Sequence, residues 1–109
     1  MSTFTIKRGD TSPAIESVLR NSTGTPVDLT DASVRLVVET RLGESLIDEP
    51  ASDQDPTEGV VVYEWRPGDT AYPGRHRAEW RVTFDDGTVE TFPNSEFLYI
   101  FIQDSVSEA

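Results

Sequence analysis

The stretch from Gly74 to Phe92 constrains this chain more than any other, because it reads as a complete antiparallel hairpin. In GRHRAEWRVTF, His76, Ala78, Trp80, Val82 and Phe84 fall on one face, while Arg75, Arg77, Glu79, Arg81 and Thr83 fall on the other. This is the period-two pattern of a half-buried strand. Asp85-Asp86-Gly87 then turns the chain, since Asp-Gly accepts positive φ at little cost, and Thr88 to Phe92 is expected to return beside Trp80 to Phe84. The class that follows is all-β, with Trp80, Val82 and Phe84 inward and Arg75, Arg77 and Arg81 outward.

The rest of the chain supplies more short strands between turn signals. Thr3 to Lys7 opens the series, and Arg8-Gly9-Asp10-Thr11-Ser12-Pro13 breaks it. Ala14 to Arg20 follows with Ile15, Ser17 and Leu19 on one face, and Asn21 to Thr25 forms a polar turn. Pro26 to Leu29 reads as a brief edge piece. Ser33 to Thr40 is a core strand with Val34, Leu36 and Val38 inward. From Arg41 to Glu58 the alternation is lost among prolines and acids, which predicts an exposed acidic excursion over 41–58. Gly59 to Arg66 resumes with Val61, Tyr63 and Trp65 on one side. Glu96 to Gln103 is apolar on both faces, and a polar tail over 103–109 is expected to fray.

Seven or eight strands at intervals of roughly 8–12 residues predict an antiparallel immunoglobulin-like β-sandwich. The 109 residues make one domain, 1–109, able to bury roughly two thirds of its unfolded surface. With no cysteine, neither a disulfide nor a thiolate metal site exists. The expected core is therefore apolar and aromatic: Trp65, Trp80, Val82, Phe84, Phe97 and Phe101. If Phe97, Tyr99 and Phe101 face inward, then Leu98, Ile100 and Ile102 need a second cover, which makes them, with Arg75, Arg77 and Arg81, the candidate subunit interface.

Charge narrows the partners. Twenty acids against nine cations leave −11, which argues against nucleic acid and anionic membranes. Lys7 is the one lysine, and so acidic a surface suits high salt, where repulsion is screened. No leader-like or membrane-spanning apolar run is visible in the sequence.

Catalytic and metal chemistry find little footing. His76 is the one histidine, it alternates onto the Trp80 face, and no nucleophile pattern accompanies it. The acids from Asp48 to Asp55 offer oxygen ligands but lack the glycine and glutamate placement of an EF-hand. Arg8-Gly9-Asp10 spells an adhesion tripeptide, yet a turn explains it as well. The expectation is a non-enzyme without cofactor or metal.

Certain segments resemble a known family. Lys7-Arg8-Gly9-Asp10-Thr11, Pro26-Val27-Asp28-Leu29-Thr30, Trp65-Arg66-Pro67-Gly68-Asp69-Thr70 and the Thr88 to Pro93 strand are similar to tailed-virus structural proteins related to the N-terminal domain of the phage baseplate upper protein, over Phe4 to Asn94. The resemblance implies a virion module that attaches receptor-binding or decorating parts to a symmetric particle and brings no catalytic residues. Relatives of that kind carry further domains after this one, so a small module on the tail, baseplate or neck, or on the head as a turret or decoration, is the expectation. Its partners would be other virion proteins and copies of itself, in a trimer or higher ring, after synthesis in the host cytoplasm. The acidity suits a haloarchaeal host. The alternative is a host-surface or carbohydrate-binding adhesion module, with Trp65, Tyr72 and Trp80 as a stacking platform if exposed.

Overall fold

The computed structural model describes residues 2–94 and 97–106. Its strands are β1 (Ser2–Lys7), β2 (Ile15–Val18), β3 (Ser33–Glu39), β4 (Ser45–Asp55), β5 (Val60–Tyr63), β6 (Gly74–Thr83), β7 (Val89–Phe92) and β8 (Leu98–Gln103), with a 3-10 turn at Pro56–Glu58. Hydrogen bonding follows the path β1-β8-β6-β3-β4-β5-β2, and β7 lies beyond β8 on the same edge of β6. Every pairing is antiparallel except β1 with β8. This is the expected all-β sandwich, built from eight strands.

β4 is the corner of the sandwich. It pairs with β3 up to Ala51 and with β5 from Ser52 onward, so one strand belongs to the large sheet and then to the small one. The predicted acidic excursion over 41–58 is thus replaced by a hairpin and a long strand. Pro50, Asp48 and Glu49 are poor strand formers, but this part of β4 has only β3 beside it, and a proline or a charge is tolerated on an edge and protects it. Arg35 on β3 fastens the segment, its Nε donating to Asp48 Oδ1 at 2.8 Å and its Nη2 to the Asp48 carbonyl at 2.6 Å.

Trp80 sits at the centre, 1% exposed, among Leu36, Val61, Val82 and Ile100. Its Nε1 donates to Ser17 Oγ at 3.0 Å, which ties β6 of the large sheet to β2 of the small one. Trp65 is also buried, donates Nε1 to the Pro13 carbonyl at 2.9 Å, and meets Tyr63 edge-on at 5.6 Å. The predicted inward positions of Trp65, Trp80 and Val82 hold, and Phe84 packs half-buried against the same cluster.

The two faces of β8 are the reverse of the expectation. Leu98, Ile100 and Ile102 point into the core at 8%, 1% and 2% exposure, while Phe97 and Tyr99 are half-buried and Phe101 is 38% exposed. The cause is the pairing with β6. Ala78, His76 and Gly74 stand opposite Leu98, Ile100 and Ile102, and because Ala78 and His76 face inward, their partners must too. Leu98, Ile100 and Ile102 therefore form no subunit interface, and Phe97 and Phe101 are not core. The tail also begins later than predicted, since Gln103 closes β8 and its carbonyl accepts from Arg8 N at 2.7 Å. Glu96 and the last three tail positions, Ser107, Glu108 and Ala109, lie outside the described residues.

Candidate functional site

The outer face of the large sheet collects the chain's unusual chemistry. Alternation along β6 turns Arg75, Arg77, Glu79 and Arg81 outward, and β8 sets Tyr99 and Phe101 beside them, with Arg75 opposite Phe101 and Arg77 opposite Tyr99. The guanidinium of Arg75 lies 4.4 Å from the Tyr99 ring centroid and that of Arg77 lies 5.1 Å from the Phe97 ring. Cation–π contact of this kind lets aromatic rings stand outside a core. Arg77 Nη2 also reaches Glu39 Oε1 at 3.6 Å. Its Nε is shielded from solvent without a hydrogen-bond partner, beside a shallow notch lined by Val37, Glu79 and Phe97.

Two distant loops are joined at one end of the sandwich. Gly9 N donates to Thr70 Oγ1 at 3.0 Å, and that hydroxyl donates to the Asp10 carbonyl at 2.9 Å, with Thr70 2% exposed. In the neighbouring turn, Asp69 Oδ2 accepts from Tyr63 Oη at 2.6 Å and from Arg66 N at 2.8 Å. Burial, then the hydrogen bond to this carboxylate, pushes the Tyr63 phenol well above its ordinary value. The Arg8-Gly9-Asp10 turn is thus part of the framework, and Arg8 Nε lies 3.3 Å from Asp104 Oδ1.

The other sequence candidates separate. His76 is a core residue whose Nε2 meets the Tyr72 carbonyl at 2.8 Å. A carbonyl only accepts, so Nε2 carries the proton, and Nδ1 is buried without a partner. Trp65 and Trp80 are buried and Tyr72 is 62% exposed, so the three form no stacking platform. Among the described residues no group of three or more acidic or histidine side chains is placed to hold a metal ion. Sequence reasoning missed the outward aromatic row, Phe97, Tyr99 and Phe101, and the joining role of Thr70. Pairing β8 with the correctly assigned face of β6 would have found the first.

The geometry defines a β-sandwich module whose distinctive feature is an arginine and aromatic sheet face. No protein-family model matches the chain, and no curated protein matches it in sequence. Among solved structures it is similar to CopC from Methylosinus trichosporium OB3b, at 10% identity and a TM-score of 0.57 over 100% of this chain and 91% of that one. That likeness is one of fold.

Proposed function

We propose that this chain is a non-enzymatic structural module of a tailed-virus particle, assembled in many copies on the tail, baseplate, neck or head. The observation that carries the reading is the position of the segments that resemble the baseplate upper protein family. Lys7 to Thr11 and Trp65 to Thr70 meet through the Thr70 hydroxyl and the Gly9 amide. Pro26 to Thr30 is held by Val27 N on the Leu19 carbonyl and Leu29 N on the Pro56 carbonyl, both at 2.8 Å. The segments that resemble that family are thus ones that build the loop framework, and this supports the reading.

The outer arginine and aromatic face supports a role in docking, since guanidinium and aromatic groups are favoured at protein interfaces. Quantitative mass spectrometry of purified, salt-washed particles of the virus whose genome encodes the chain tests the reading. Many copies per genome are expected. Absence from washed particles, with the chain left in the soluble lysate, contradicts it.

A further inference from the structure

We infer that copies of this chain associate head to tail, the outer face of the large sheet of one copy seating on the outer face of the small sheet of the next. The inference deepens the multicopy reading above and rests on it for where the assembly is used.

The first face is basic on an acidic molecule. Lys7, Arg35, Arg75, Arg77 and Arg81 stand on it, five of the nine cations, against the acids Glu39, Asp48 and Glu79, which leaves the face net positive in a chain of net charge −11. Register places Arg35 directly opposite Arg81; Asp48 already pairs with Arg35, so an incoming carboxylate would be met by Arg81. Phe101, 38% exposed, adds apolar surface in the same row.

The second face is acidic and apolar. Ile15 on β2 and Val61 and Tyr63 on β5 point inward, which turns Glu16, Val18, Val60, Val62 and then Glu64 outward. No lysine or arginine occurs in β2 or β5, and Val18 is 43% exposed. Molecular extents of 46 × 24 × 23 Å leave room on either broad side for the ~800 Å² per partner of a standard interface.

Charge also selects the mode. Two large-sheet faces would set arginine against arginine, and two small-sheet faces glutamate against glutamate. The unlike pairing sets the net-positive face against the acidic one, and an interface between two different patches propagates into a ring or a filament. Net repulsion between copies opposes contact in dilute buffer, but at ~1 M salt it is screened within ~3 Å while pairs in contact persist.

The test is sedimentation equilibrium of the purified chain at ~1 M salt. The native chain is expected to form concentration-dependent oligomers. Arg75→Glu with Arg81→Glu, or Glu16→Arg with Glu64→Arg, should each weaken self-association by about tenfold or more. An equimolar mixture of the two variants should associate again, because each restores the face the other lost. Phe101→Ser should weaken it without a charge change, and unaltered fluorescence of buried Trp65 and Trp80 controls for folding. A native chain that stays monomeric, association indifferent to both variants, or a mixture that stays monomeric overturns the inference. Self-association by a chain absent from particles defeats the virion reading alone, whereas a monomer abundant in particles defeats the head-to-tail contact alone.

Discussion

Gly59 has φ +72, and a Cβ there would stand 2.6 Å from the Leu19 carbonyl oxygen. That oxygen belongs to the backbone and accepts from Val27 N, so it has little room to move. Gly59→Ala therefore combines left-handed strain with a clash and should destabilise by at least about 2 kcal/mol in chemical denaturation. Tyr63 makes a different statement. Its phenol titrates above the unfolded value because burial and the Asp69 carboxylate disfavour the phenolate. A raised folded pKa gives stability that is complete below the unfolded value near ~10 and is lost as pH climbs toward the folded one. The unfolding midpoint of the native chain should fall above about pH 10, and Tyr63→Phe should fall less. Equal slopes for the two proteins would remove that assignment.

At the scale of strands, the sequence was most readable where one face is polar. β6 and β7 pair as expected, Trp80 with Phe92 through Thr83 with Val89, because alternation and the Asp-Gly turn agree. β8 was unreadable by the same rule. Apolar on both sides, it carries no internal mark of which parity faces inward, and only its neighbour decides. Ile100→Asp should now unfold the chain, while Phe101→Asp, on the outer row, should leave the thermal midpoint nearly unchanged. A stable Ile100→Asp protein would show the face assignment to be wrong.

β4 was missed for another reason, since its acids and Pro50 hide a strand whose place is set by the partners at the corner. A signal was nonetheless present. In Asn21 to Thr25, Thr40 to Glu44 and Phe84 to Thr88, the first residue's amide bonds the fifth residue's carbonyl and the fourth is a glycine donating back to the first. Gly24, Gly43 and Gly87 all have φ near +90, at 87°, 89° and 89°. Gly43 thus announced the β3–β4 hairpin in the same spacing as the hairpin that was recognised.

Across the whole molecule, charge dominates behaviour. Net −11 on 109 residues repels itself when the Debye length is ~10 Å and far less when it is ~3 Å. The unfolding midpoint should rise between ~0.1 and ~2 M salt, and a flat or falling midpoint would contradict the expectation of a saline host. The candidate face was half legible. Arg75, Arg77 and Arg81 follow from alternation on one strand, whereas their aromatic neighbours on β8 depend on a pairing between segments about twenty residues apart. The central claim, a multicopy particle module, is tested most directly by a reconstruction of the intact virus at side-chain resolution. The account predicts density for this eight-stranded sandwich, repeated around a symmetry axis of the tail, baseplate, neck or head. A complete reconstruction in which no repeated density fits the chain would contradict it.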